Sequence, residues 1–213
     1  FSARFPLVLY AGEIYMRQHD PYTRFVIHTL EQEGLEVVRG PISEWMDYVA
    51  HLSGERKGGL ARLVGKTFLS WADRWATRLF QEITKDRQLL PSPETVLSRI
   101  EEADIFSRHI TGESPLSIGL FFEFLEGRLR SREDGPEICG YFHVGPFTCM
   151  QEGVATAIMN DLARERRRRS PDALVPVVHA FFGDSPNPNL KAEIAAFREQ
   201  VYLKSALSRR KVS

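Results

Sequence analysis

Cys149 is the residue in this chain whose type and surroundings suit chemistry best. It follows Gly145-Pro146-Phe147-Thr148, and Val154, Ala155, Ile158, Met159 and Leu162 recur after it at helical spacing. Ahead of it, Tyr141 to Val144 is a short apolar run of strand type that runs out at Gly145-Pro146. A strand, a tight turn and a helix put this thiol at or just before a helix N-terminus. Unpaired backbone N–H groups and the helix dipole there favour the thiolate, the form that ligates metals and attacks electrophiles. The plain alternative for one cysteine beside an apolar strand is a small buried hydrophobe. The turn matches neither the Rossmann nor the Walker phosphate-loop spacing.

Four other residues have the right chemistry. Glu13 stands where the first apolar run ends and Asp184 where the last one ends, while His143 and His179 lie inside apolar runs. Carboxylates at strand ends beside an imidazole suit acid–base work. Each also has a structural reading: Glu13 as a partner of Arg17 or a helix cap, Asp184 with Ser185 as a turn, and each histidine as a hydrogen-bonded core residue. No H-E-x-x-H, C-x-x-C or G-x-S-x-G pattern is present.

The elements that must position these groups follow from periodicity. Phe5 to Tyr15 reads as a buried strand ending near Gly12-Glu13. Asp20 as N-cap and Pro21 as first helical residue open a helix with Phe25, Val26, Thr29 and Leu30 on one face, and Gly34 closes it. Leu35 to Val38 is a second strand, and after Pro41 a helix carries Trp45, Met46, Val49 and Leu52. Strand, helix, strand, helix predicts an α/β fold: a Rossmann-like parallel sheet with helices on both faces.

A helical insertion is expected over 53–110. It starts at a junction around Gly54, Gly58 and Gly59, continues as an aromatic-striped helix over Leu60 to Thr84, and resumes as a helix at Ser92-Pro93-Glu94. The aromatic stripe either packs on its own domain or docks another. Ile105 to Gly112 reads as irregular, Leu116 to Gly127 as a buried helix, and Arg128 to Pro136 as a charged loop. Leu174 to Phe182 is the last strand. The closing helix, Leu190 to Leu207, turns Ile194, Phe197, Val201 and Leu203 inward, and the tail from Ser208 is expected to fray. In such a sheet the candidate site is the carboxyl edge, made of Gly145, Pro146, Cys149, Glu13 and Asp184.

Composition narrows the classes. The 213 residues carry 28 Lys plus Arg and 28 Asp plus Glu, so no global basic field points to nucleic acid. The basic run Arg164 to Arg169 reads first as a solvated helix end. Two cysteines are too few for a disulfide framework and fit a reducing, cytoplasmic setting. No apolar run is long enough to span a membrane. The chain is expected to be one domain over 1–213, a piece of a longer polypeptide, because it starts at Phe1 and enters its first strand almost at once.

Three blocks resemble one family in order. Gly12-Glu13-Ile14-Tyr15-x-Arg17 with Leu30-Glu31-x-x-Gly34 is the first, and Ile118-Gly119 with Gly145-Pro146-Phe147-Thr148-Cys149-Met150 the second. Asn189-Leu190-x-x-Glu193-x-x-x-Phe197 is the third. Together they resemble 2-hydroxyacyl-CoA dehydratase D-component and benzoyl-CoA reductase related proteins. The likeness is strongest to the dehydratase-like region of large CoA-substrate-specific enzyme activases. Where the family commonly has proline after the Cys-Met pair, Gln151 stands here.

The resemblance implies a Rossmann-like domain and an iron–sulfur cluster, with Cys149 as the one metal ligand carried over. It also implies a parent that is an ATP-driven dehydratase or reductase, or its activase, while this chain alone is expected to be inactive. The other ligands would come from the rest of the parent polypeptide, an activase or dehydratase subunit, or a second copy of the chain. Neither nucleic acid nor membrane is an expected partner. The alternative is an assembly domain that keeps the fold and binds no cluster.

Overall fold

The computed structural model describes residues 5–56, 90–107, 109–130, 135–185 and 187–212. Four strands, β1 (Leu7–Gly12), β2 (Glu36–Arg39), β3 (Ile138–Pro146) and β4 (Val177–Phe182), form one sheet in the order β2-β1-β3-β4. Every pairing is parallel, with Val8 opposite Val37, Tyr10 opposite Phe142, and His143 opposite His179. The described helices are α1 (Ile14–Gln18), α2 (Asp20–Gln32), α3 (Ile42–Arg56), α4 (Pro93–Glu102), α5 (Ser114–Leu125), α6 (Met150–Arg169) and α7 (Leu190–Val212). This is the expected α/β architecture, Rossmann-like, with the expected parallel strands.

The central strands β1 and β3 are buried nearly end to end, as apolar runs covered on both faces must be. Side chains alternate between two cores. Val8, Tyr10, Phe142, Val144 and Ala180 face α2 and α7, against Val26, Leu30, Ile194, Phe197 and Val201. Leu9, Ala11 and Tyr141 face the other way, against Tyr48 of α3, Val96, Leu97 and Ile100 of α4, Phe121 and Phe124 of α5, and Ala155 and Met159 of α6. The chain leaves β1 for β2 through α2 on the first face. It travels to β3 and on to β4 through helices on the second. Right-handed crossovers that run in opposite directions require opposite faces. The order therefore reverses between β1 and β3, and ligands of such sheets ordinarily sit at the carboxyl ends of the two strands flanking that reversal.

Several boundaries differ from the sequence reading. The first strand stops at Gly12, and the five residues Ile14–Gln18 form a helix too short to show a period. α2 starts at Asp20 with His19 as its N-cap, so Asp20 is the first helical residue and not the cap. α3 runs straight through Gly54 to Arg56. Among its described side chains Glu44 and Tyr48 are buried, while Met46 and Val49 are exposed. The Arg17–Glu44 ion pair at 2.7 Å sets that rotation, together with the Tyr48 hydroxyl that accepts the Gly112 N–H at 3.2 Å.

α7 does not fray at Ser208 but continues to Val212. Ser208 Oγ donates to Glu137 at 2.8 Å and Lys204 Nζ lies 3.5 Å from the same carboxylate, which ties the last turns to the entrance of β3. Leu203, expected inside, is exposed. The Gly58-Gly59 junction and the aromatic stripe from Leu60 to Thr84 lie outside the described residues, as does 131–134 within the charged loop.

Candidate functional site at the carboxyl edge of the sheet

Gly12 ends β1 with φ +129, and a Cβ there would lie 2.0 Å from the Val144 carbonyl oxygen. Only glycine allows this approach, which lets the Glu13 N–H donate to Val144 O at 2.9 Å and locks the ends of β1 and β3 together. Glu13 is the N-cap of α1, its Oε2 accepting the Met16 N–H at 2.7 Å. Glu113, just before α5, accepts the Ile14 N–H at 2.9 Å.

Two carboxylates of the chain thus occupy the amides that follow β1, the place where a nucleotide-binding sheet would receive a phosphate. Burial pushes the Glu113 carboxyl up to about 7. The Ile14 N–H opposes this, and the charges of Glu13 and Glu152 reinforce it. Beneath α1, Arg17 donates to Glu44 at 2.7 Å with both side chains almost wholly buried. Burial raises the Glu44 carboxyl more than Arg17 lowers it. Arg17 Nε and Glu44 Oε1 have no hydrogen-bond partner.

Cys149 is the N-cap of the 20-residue α6 and is half-buried, and its side chain makes no capping bond. Its place in the loop after β3 is the expected one. Pro146 is the last residue of β3, and Phe147 N–H donates to Phe182 O at 2.8 Å, so the turns after β3 and β4 are stitched together. Asp184 lies exposed in the second of these turns. At Gly145 an added Cβ would meet the Glu152 and Phe181 side chains at 3.1 Å, and the bare position brings α6 down onto the strand.

Gln151 holds α6 to the first residue of α5: its Oε1 accepts from Ser114 Oγ at 2.5 Å. Phe147 and Met150 are largely exposed on either side of Cys149. The structure therefore brings Glu13, Gly145, Pro146 and Cys149 to one edge, with Asp184 at its rim.

Under that edge lies a group of buried polar side chains. His143 Nε2 is 2.5 Å from Glu152 Oε2, and neither side chain is exposed. His143 Nδ1 is 3.0 Å from His179 Nδ1. Ser117 Oγ donates to Glu152 Oε1 at 3.1 Å, and the Tyr141 hydroxyl donates to the Ser117 carbonyl at 2.9 Å. Burial pulls the His179 imidazole down to about 3, with His143 adding to the effect, so His179 is neutral. The structural reading of both histidines holds, with more partners than the apolar runs suggest.

Glu113, Ser117 and Glu152 did not stand out in the sequence. A signal existed for Glu152, which lies three and seven residues before the buried Ala155 and Met159 and so shares their inward face. Glu113 meets Ile14 across 99 residues, and no local pattern announces that.

The chain by itself does not fit a whole iron–sulfur cluster. Such clusters use three or four cysteines as a rule. Here Cys139 sits buried near the start of β3 while Cys149 lies beyond its end. At about 3.3 Å per residue, the stretch of β3 between them alone separates the thiols by roughly 20 Å. Among the described residues, no three His, Cys, Asp or Glu side chains are grouped to hold a metal ion. Of the two thiols, Cys149 alone stands at the carboxyl edge. Among the described residues no helix is long and apolar enough to cross a membrane. No protein-family model, curated protein or solved structure matches the chain.

Proposed function

We propose that this domain is a component of a 2-hydroxyacyl-CoA dehydratase-like or reductase-like iron–sulfur protein. In this reading the carboxyl edge at the ends of β1 and β3 is the working site. Cys149 contributes one thiolate to a cluster whose other ligands come from the rest of the parent polypeptide, a subunit of activase or dehydratase type, or a second copy of the chain. The setting is cytoplasmic.

One observation carries the reading. The Cys149 sulfur stands at the N-terminus of a long helix, at the carboxyl end of a central strand, half-exposed and unused as a cap. Glu13 and Glu113, already bonded to α1, take up the amides after β1 and disfavour a phosphate there. The chain's own residues place and orient the thiol, and the redox chemistry belongs to the cluster.

The test is iron and sulfide analysis after anaerobic purification. The isolated chain is expected to hold little or no iron, and the parent protein or its complex is expected to hold a cluster. A stoichiometric cluster in the isolated chain contradicts the count of one ligand. The second reading, an assembly domain without a cluster, is favoured by the separation of the two thiols at opposite ends of β3. It predicts no iron in either preparation.

A further inference from the structure

We propose that a cavity at the amino edge of the sheet is a second small-molecule site: the Lys204 amine captures there, as an imine, a small aldehyde or ketone that bears a carboxylate, and Glu137 carries the protons. The site lies at the opposite end of β3 from Cys149, and its test needs no cluster.

The cavity holds about 350 Å³, within the range of small-ligand pockets. The end of α5, the C-terminal parts of α6 and α7, the entrance of β3 and the segment ahead of β4 enclose it. Leu125, Val175 and Leu207 give it apolar surface. Two of its carboxylates, Glu126 and Asp172, are exposed to solvent.

Lys204 lines the cavity with its side chain only 16% exposed. Its Nζ lies 3.8 Å from the centre of the Phe124 ring and 3.5 Å from Glu137 Oε1. Burial lowers the ammonium more than Glu137 raises it; Cys139 also raises it and Arg166 also lowers it. A lysine so placed keeps more free amine than one in water, and the free amine is the form that attacks a carbonyl carbon. Pinning α7 to β3 alone requires no space beside that amine.

Two further groups fit the ligand class. Ser208 Oγ donates to Glu137 Oε2 at 2.8 Å, which leaves Oε1 to Lys204. Arg130 also lines the cavity, and among the described residues its guanidinium donates only to the Gly135 carbonyl, at 3.4 Å. Its remaining donors suit a carboxylate. Arg166 is less available, because Glu126 lies 3.6 Å from it.

The step balances without an oxidant or a reductant. Glu137 Oε1 takes a proton from the Lys204 ammonium. The freed lone pair attacks the carbonyl carbon, a C–N bond forms, and the C=O π electrons move to oxygen. Two of the ammonium protons pass by way of Glu137 to that oxygen, the C–O bond breaks, and water leaves. The third proton stays on nitrogen, so ammonium plus carbonyl compound gives iminium plus water. The iminium cation keeps the place of the ammonium beside Glu137.

The probe is glyoxylate, with cyanoborohydride to reduce the imine to a stable secondary amine. Mass spectrometry reads each lysine of the folded chain. Lys191, exposed at the start of the same helix, is the internal reference. At pH 7 Lys204 is expected to be labelled at least about fivefold faster than Lys191. Acetaldehyde, which lacks the carboxylate, is expected to lower the ratio of Lys204 to Lys191 labelling, and Arg130→Gln is expected to lower it with glyoxylate.

Glu137→Gln separates proton transfer from charge. Loss of the charge alone lowers the Lys204 ammonium further and speeds labelling, whereas loss of the proton carrier slows it. Slowing by about threefold or more is the expected result, with Lys191 unchanged and circular dichroism intact. If Glu137→Gln does not fold, Ala173→Phe takes its place, because Ala173 lines the cavity and the added ring fills it. That variant is expected to suppress labelling at Lys204 and leave Lys191 unchanged. Lys204 labelling no faster than that of Lys191, faster in Glu137→Gln, or undiminished in Ala173→Phe overturns the proposal. An equal ratio with glyoxylate and acetaldehyde overturns the carboxylate class.

Discussion

Phe142 and His143 are adjacent on β3 and point to opposite faces of the sheet. Phe142 stacks on Tyr10 and meets Phe197 edge-on, each at 5.9 Å between centroids. His143 meets a carboxylate at 2.5 Å and a second imidazole at 3.0 Å. The contrast extends to the helices. The α2 and α7 face is closed by aliphatic and aromatic side chains, whereas α5 and α6 bring Ser117 and Glu152 inside their apolar cover. Burying apolar surface is the main favourable term in folding, while a buried ion pair gains little once desolvation is counted. Both faces bury an apolar core, and the α5 and α6 face gives up some of its stability to keep polar groups beneath the edge where Cys149 stands.

The largest test of this contrast is stability. Phe142→Ala removes a fully buried ring and is expected to cost about 3–5 kcal/mol, read from urea unfolding. On the other face, His143→Phe alone leaves Glu152 buried and unmatched, and is expected to cost about 3 kcal/mol or more. The double change His143→Phe with Glu152→Met should recover most of that loss, to within about 1–2 kcal/mol of the unaltered chain. If the double variant is as unstable as the single one, the polar face is a source of stability and the contrast fails.

A smaller effect separates the polar groups from one another by pH. His179 is depressed from 6.5 to about 3, so the unfolded chain binds the extra proton and stability is lost as pH falls below about 6.5. Glu113 is raised from 4.5 to about 7, so its contribution is full below about 4.5 and is lost as pH rises to about 7. Between about 4.5 and 6.5 the two slopes oppose each other. Glu113→Gln should expose the acid loss, with a urea midpoint that falls steadily from pH 6.5 to 4.5. His179→Phe should expose the reverse slope. Parallel profiles in the two variants would contradict the assignment.

The smallest effect concerns the two thiols. Burial pushes the Cys139 thiol up, and its Sγ lies 3.4 Å from the Glu137 carbonyl, which it can reach as a donor. Cys149 is half-exposed and caps a helix. Iodoacetamide should modify Cys149 first in the folded chain, and comparable rates at both sites would place the reactive thiol wrongly.

The two faces also differ in how well they can be read from sequence. The apolar one is plain: LVLYAG and Tyr141 to Val144 announce buried strands, and the β-α-β order announces a parallel sheet. The Gly145-Pro146 turn and the period after it place Cys149 correctly at a helix start. The polar face is hidden because its partners are distant in sequence. Glu113 and Ile14 are 99 residues apart, and His143 and His179 are 36. Pairings of that length are set by strand register and helix docking, which no local period records. The rotation of α3 is hidden for the same reason, since Met46 and Val49 fit the period but the Arg17–Glu44 pair decides which side turns in. α1 leaves no mark in the sequence because five residues are too few to show a period.

The most direct test of the central claim compares the two thiols in the complete assembly, purified without oxygen. The measurement is iron per chain, with the visible charge-transfer absorption, for the unaltered protein, Cys149→Ala and Cys139→Ala. Cys149→Ala is expected to lose iron and absorption while it keeps its circular dichroism, and Cys139→Ala is expected to retain both. Unchanged iron in Cys149→Ala would contradict the ligand role and leave the assembly-domain reading in its place.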